Sequence, residues 1–111
     1  MRAFDGKLVI SNLSEIDFYN STVRGDSING YGIHDIVKLD YPVRIKDINK
    51  IMIHENDIVR YQNDIYKVVF ADGGAYGIRR NGKKKHKKFL SALAEIIGNV
   101  YMEEYLTFKD L

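Results

Sequence analysis

The chain has no cysteine, which excludes disulfide staples, thiolate metal sites and a cysteine nucleophile together. Proline occurs once, at Pro42, so a proline-rich linker is excluded too. No apolar run approaches the roughly 20 residues that a membrane helix requires; Leu8-Val9-Ile10, Ile51-Met52-Ile53 and Val68-Val69-Phe70 are typical of what is present. Met1-Arg2-Ala3-Phe4-Asp5 lacks the apolar core of a secretion signal, and no repeat of solenoid length occurs. A cytoplasmic protein with no membrane contact is therefore expected.

At 111 residues the chain can shield one core but not two separate ones, so a single domain is the default. Hydrophobic residues at 45% against 29% charged match a folded globular protein and argue against global disorder. The net charge of +2 conceals an asymmetry. Arg79, Arg80, Lys83, Lys84, Lys85, Lys87 and Lys88 lie in one ten-residue stretch without an acid, which leaves ten bases against the chain's 15 acids everywhere else. The protein reads as a mildly acidic body with one basic arm, and that arm dominates any electrostatic attraction of partners.

Gly25 to Gly32, with Asp26, Ser27, Asn29 and Gly30, has the clearest loop composition. Lys7-Leu8-Val9-Ile10 follows Asp5-Gly6, a pair suited to a tight turn. Ile36-Val37-Lys38-Leu39 and Ile51-Met52-Ile53 are short strand candidates. Asp57 to Tyr61, a polar turn at Gln62-Asn63-Asp64 and Ile65 to Phe70 form an antiparallel pair, with Tyr66, Val68 and Phe70 assigned to the core by the period of two. Asp72-Gly73-Gly74 turns the chain into Ala75 to Arg80, and Asn81-Gly82 is a hairpin signal that leads into the lysine run. Phe89 to Ala94 is the best helical candidate, with Phe89, Leu90, Leu93 and Ala94 on one side, although two turns need packing to persist. Ile96 to Tyr101 closes the sheet, and Met102 to Leu111 forms a terminal turn or short helix. Short strands with tight turns favour a small barrel or sandwich.

The basic run is the sharpest functional candidate. On an extended strand Lys83, Lys85 and Lys87 oppose Lys84, His86 and Lys88, and the expected binding set is Tyr76, Arg79, Arg80, Lys83, Lys84, Lys85, Lys87 and Lys88. Lysines also protect exposed strand edges without binding anything. With only Tyr76 before the run and Phe89 after it, no aromatic interleaving suggests a stacking platform for bases. Asp72 to Gly77 lacks the ending and the strand-to-helix setting of a phosphate loop. His34, His54 and His86 form no metal-binding spacing, and no serine sits in a nucleophile motif, so no enzyme, metal or cofactor is expected. Eight tyrosines are a high load for so small a body. Tyr19, Tyr31, Tyr41, Tyr76 and Tyr105 include some that must approach the surface, where tyrosine suits interfaces with a partner or a second copy.

Ile53-His54-Glu55-Asn56-Asp57-Ile58-Val59 resembles the "I-(Y)-E-G-D-I-V" element of YopX-like phage and prophage proteins, and Glu95-Ile96-Ile97-Gly98-Asn99-Val100-Tyr101 resembles their closing "E-V-I-G-N-I-Y". Arg2-Ala3-Phe4-Asp5 is similar to the opening "R-A-W-D", and Lys46-Asp47 to the "K-D" of "T-G-L-K-D". Asn56 replaces a glycine and suits positive φ nearly as well; Val43-Arg44 replaces Thr-Gly and cannot supply a glycine conformation. The resemblance implies a mainly β fold with an SH3-like small barrel over 51–111, an N-terminal β-rich extension over 1–50 and one short helix. It implies a phage or prophage origin and no catalytic residue. The expected function is that of a non-enzymatic accessory protein binding a host macromolecule or ligand, in the manner of a host-defence antagonist, with a host protein or protein complex as the leading partner. The alternative is a nucleic-acid-binding factor that uses the Arg79 to Lys88 hairpin, and a hydrolase or nuclease with an unrecognised site is a third reading.

Overall fold

The computed structural model describes all residues 1–111. It is mainly β, with three antiparallel sheets of five, two and five strands and one short 3-10 helix over Glu103–Phe108. The chain divides into two compact units, Met1–Tyr41 and Pro42–Leu111. The strand that begins at Pro42 pairs with the one that begins at Met52, so residues 42–50 belong with the second unit. No helix is long and apolar enough to cross a membrane.

The first unit contains β1 (Arg2–Phe4), β2 (Val9–Asp17), β3 (Thr22–Ser27), β4 (Gly30–Asp35) and β5 (Lys38–Asp40) in the order β4-β3-β2-β1-β5. Ala3, Ile10 and Val23 form its fully buried core, with Leu8, Leu13, Ile16, Ile36 and Leu39 packed around them. Asp5 builds the β1–β2 turn: its carboxylate accepts the backbone N–H groups of Lys7 at 2.8 Å and Leu8 at 2.6 Å, while Gly6 takes φ +101°. At the far edge Arg2 Nε reaches the buried Asp40 carboxylate at 2.9 Å across the β1–β5 register. The glycine-rich stretch expected as a loop is a hairpin instead. Ser27 pairs with Gly30 and Gly25 with Gly32, so only Ile28 and Asn29 lie in the turn.

The second unit contains β6 (Pro42–Lys46), β7 (Met52–His54), β8 (Asp57–Tyr61), β9 (Asp64–Ala71), β10 (Gly74–Asn81), β11 (Lys84–Phe89) and β12 (Glu95–Asn99). Five strands run in the order β11-β10-β9-β8-β12, and β6 pairs only with β7. The sheets do not close into a barrel, because β11 and β12 are separate edges and β6–β7 forms a ladder of its own. Val43 and Ile53 from the small sheet pack with Val59, Tyr66, Val68, Ala75 and Ala94 into one core.

The segments Ile53 to Val59 and Glu95 to Tyr101 contribute neighbouring strands. Asn99 pairs with Asp57 and Gly98 with Ile58, with a bulge between Ile96 and Gly98. Asn56 takes φ +66° in the β7–β8 turn, as a residue standing in for glycine must, and Asp57 Oδ2 accepts the His54 N–H at 2.7 Å. Gln62-Asn63 and Asp72-Gly73 are two-residue turns with both residues at positive φ, the twist that joins antiparallel strands most readily.

Three local expectations are corrected. Phe89 to Ala94 is not a helix: Phe89 ends β11, and Ser91 then closes a turn, accepting the Leu93 N–H on Oγ and the Ala94 N–H on its carbonyl. Cross-strand pairing with Tyr76 claims Phe89, and a run this short cannot outcompete it. Phe70 is 50% exposed instead of buried, because the alternating face runs past the edge of the core near the Asp72-Gly73 turn. Its opposite face is the surprise, with Lys67 nearly buried and its Nζ donating to the main-chain oxygens of Lys109 at 3.2 Å and Leu111 at 2.9 Å.

Arg44 takes φ +64° despite its side chain, so the glycine conformation that Val43-Arg44 was expected to forgo is adopted, at the irregular register between Pro42 and Lys46. A left-handed non-glycine residue costs about 1–2 kcal/mol, partly offset by glycine's greater unfolded-state entropy. Arg44→Gly is expected to stabilise the protein by about 0.5–1 kcal/mol, seen as a higher denaturant midpoint with unchanged slope.

Candidate nucleic-acid interface

The interface is the β10–β11 hairpin. Tyr76 pairs with Phe89, Ile78 with Lys87, Arg79 with His86, Arg80 with Lys85 and Asn81 with Lys84. The turn is therefore Gly82-Lys83, one residue later than Asn81-Gly82. Gly82 takes φ +64° and Asn81 does not take positive φ, the pattern of a turn that needs glycine only at its first central position. Every residue of β11 is exposed, and the strand is an outer edge of its sheet.

Strand alternation sorts the eight expected residues onto two unlike faces. On one, Arg79 and Lys88 are engaged with the body. Arg79 Nε is 3.7 Å from Asp64 Oδ2, and its guanidinium carbon is 6.0 Å from the centre of the Tyr66 ring. Lys88 Nζ donates to Gln62 Oε1 at 3.2 Å and lies 4.7 Å over the Tyr61 ring. Lys84 and His86 complete that face. The other face carries Tyr76, Arg80, Lys85 and Lys87, while Lys83 sits in the turn. Arg80, Lys83, Lys84 and Lys85 make no ion pair and point their charge at solvent.

The structure adds a residue that sequence reasoning did not include. Phe89 stacks on Tyr76, ring centres 4.9 Å apart and planes at 30°, and Lys87 Nζ lies 4.4 Å over the Tyr76 ring. Phe89 remains 75% exposed. The two aromatics that bracket the lysine run in sequence are thus one platform beside Arg80, Lys85 and Lys87. The signal was available: pairing the chain about Gly82-Lys83 places Phe89 opposite Tyr76, so interleaving had to be sought across the hairpin and not along it.

Away from the hairpin, Asp47 and Asp5 each hold a turn. Asp47 accepts three backbone N–H groups, from Asn49 and Ile51 at 2.9 Å and Ile96 at 3.0 Å. Burial pushes its pKa up, the three bonds outweigh this, and the net direction is down. Asp5 is also lowered, chiefly by the Leu8 N–H, with His34 adding to the effect. No group of three or more His, Asp or Glu side chains is placed to hold a metal ion.

No protein-family model, curated protein or solved structure matches this chain.

Proposed function

We propose that this protein is a non-enzymatic binding protein whose working surface is the β10–β11 hairpin and whose partner is a polyanion, best represented by nucleic acid. The observation that carries this reading is the coincidence, on one exposed face, of a stacked Tyr76–Phe89 pair with Arg80, Lys85 and Lys87. Cations that track a phosphate backbone, with aromatic faces for bases, are the two ingredients of sequence-tolerant recognition. A solvated edge accounts for the lysines alone but not for a phenylalanine three-quarters exposed beside them.

The resemblance to YopX-like proteins, and the core that the small β6–β7 sheet shares with the five-stranded sheet, support an SH3-like arrangement of the second unit and a phage or prophage accessory role in the host cytoplasm. Capture of a host protein or protein complex, as a host-defence antagonist would require, is the second reading. Phe89 favours it as well, since exposed aromatics beside cations also anchor protein interfaces.

The test is fluorescence anisotropy with labelled oligonucleotides across a salt series. Five cations not committed to the body, Arg80, Lys83, Lys84, Lys85 and Lys87, give an expected slope of log affinity against log salt of about −3.5 on a single strand. Replacing Lys83, Lys84 and Lys85 by Glu is expected to flatten the slope to about −1.4 and to weaken binding at least tenfold. Unchanged affinity would remove the arm from the interface, and nuclease-resistant capture of one stoichiometric protein would favour the second reading.

A further inference from the structure

Below the hairpin, on the same face as Arg80, Lys85 and Lys87, lies a cavity of about 400 Å³ lined by Ile65, Arg79, Arg80, Gly82, Thr107, Phe108 and Leu111. The sheet supplies one wall. Continuing the Ile78↔Lys67 pairing by two residues sets Arg80 opposite Ile65, so a guanidinium stands beside an apolar floor. The C-terminal segment supplies the other wall. Phe108 ends the 3-10 helix, its ring held edge-on against Tyr105 at 6.2 Å, and the segment is fastened to the sheet by the Lys67 bonds to Lys109 and Leu111. A volume of about 400 Å³ falls inside the range of roughly 300–1,000 Å³ typical of small-molecule sites.

The chemistry of the walls is specific. An apolar floor, one aromatic ring and a hydroxyl suit a flat heterocycle, and the arginine at the rim suits a phosphate, which a planar guanidinium binds with two parallel hydrogen bonds. We infer that this cavity receives one unstacked nucleotide, its base against Phe108 and Ile65 and its phosphate on Arg80, and that the hairpin's ligand is therefore a single strand in preference to a duplex. The inference rests on the polyanion reading above and deepens it. Lys85 and Lys87, two residues apart along β11, stand about 7 Å from one another along the strand and continue the cationic track from the cavity rim to the Tyr76–Phe89 platform. A duplex keeps its bases paired and stacked, so it reaches the lysines but leaves the cavity empty.

The experiment compares a twelve-nucleotide oligothymidylate and a mixed-sequence duplex of the same length by anisotropy, using the full chain, with thymidine 5′-monophosphate followed by NMR. Thr107→Trp fills the cavity from an exposed position and leaves the core alone; Phe108→Ala removes the stacking ring. Single-strand affinity at least tenfold above duplex is expected, with both variants lowering it by about tenfold toward the duplex value, with the salt slope unchanged and the mononucleotide shifts at Ile65 and Arg80 lost. Single-strand binding that survives both variants overturns the cavity assignment while leaving the hairpin reading intact. Failure of both oligonucleotides to bind wild-type protein overturns the hairpin reading and the cavity assignment together.

Discussion

Asp47→Ala is expected to destabilise the second unit by about 3 kcal/mol. The Asp47 carboxylate ties the β6–β7 turn to β12, beside the Ile48 N–H bond to the Ala94 carbonyl: Oδ1 takes the N–H groups of Asn49 and Ile51, and Oδ2 takes that of Ile96. Removing it strands three backbone donors in a nearly buried site, each costing roughly 1–3 kcal/mol when no acceptor replaces the carboxylate; the lower figure applies because the donors are only partly buried. Asp47→Asn separates the two oxygens. An amide with its oxygen toward the turn keeps the Asn49 and Ile51 bonds but turns an NH₂ toward the Ile96 N–H, so about half the loss is expected. Thermal and denaturant unfolding of the three proteins measure the series, and an alanine variant within 0.5 kcal/mol of wild type would show that water replaces the carboxylate.

The same carboxylate sets a pH dependence. Its folded-state pKa is lowered below the ordinary value of 3.8, so the unfolded chain binds the proton more readily and stability rises with pH through that region. The contribution is complete above the unfolded-state value and is lost as pH falls through the lower folded-state value. Asp5 acts in the same sense through the Leu8 and Lys7 N–H groups, and so does Asp17, lowered chiefly by the Asn20 N–H. Asp47→Asn therefore flattens part of the acid limb in addition to lowering its plateau.

How far the sequence discloses the fold depends on the range of the interactions that decide each element. The turns expected at Gln62-Asn63-Asp64, Asp72-Gly73-Gly74 and Asp5-Gly6 were readable to within a residue because Asn63, Gly73 and Gly6 suit positive φ and Asp5 bonds its own backbone, although Asp64 and Gly74 belong to strands. A closing strand at Ile96 to Tyr101 was readable from its β-branched residues and lies at Glu95–Asn99; that its partner is the strand beginning at Asp57 was not. Three features were decided at a distance. Phe89 to Ala94 has helical spacing, but Tyr76 across the hairpin holds Phe89 in a strand. Arg44 adopts a conformation its own side chain disfavours because the ladder between β6 and β7 is irregular there. The interface was half visible: the cations were named from composition, whereas the aromatic platform and the cavity exist only once β10 pairs with β11 and the C-terminal segment is fastened by Lys67, a residue whose burial the alternation of β9 does not announce.

Gly25 shows the same limit most sharply and gives the second large expected effect. Glycine in a polar stretch suggests a turn, yet Gly25 lies inside β3, paired with Gly32, and does not take positive φ. What it provides is space. A Cβ at this position would lie 2.6 Å from the Ser11 carbonyl oxygen and 2.9 Å from both Ile10 Cγ2 and Leu13 Cδ2. The first of these is backbone, at the irregular register between β2 and β3, and Ile10 is completely buried in the core of the first unit, so neither can yield without opening the β2–β3 ladder. Overpacking of a filled site costs roughly 1–3 kcal/mol and more when backbone must move, which places Gly25→Ala at about 3 kcal/mol. Gly32→Ala is the control, since its Cβ would meet only His34 Nε2 at 3.9 Å, an ordinary contact. There the reduced entropy of the unfolded chain is expected to leave stability unchanged or raised by about 0.5 kcal/mol. Amide exchange at Ile10 and Val23 reports the first unit separately from the second. Faster exchange in Gly25→Ala with wild-type rates in Gly32→Ala is the expected pair of results, and equal protection in both would mean that the strands separate enough to admit a methyl group without cost.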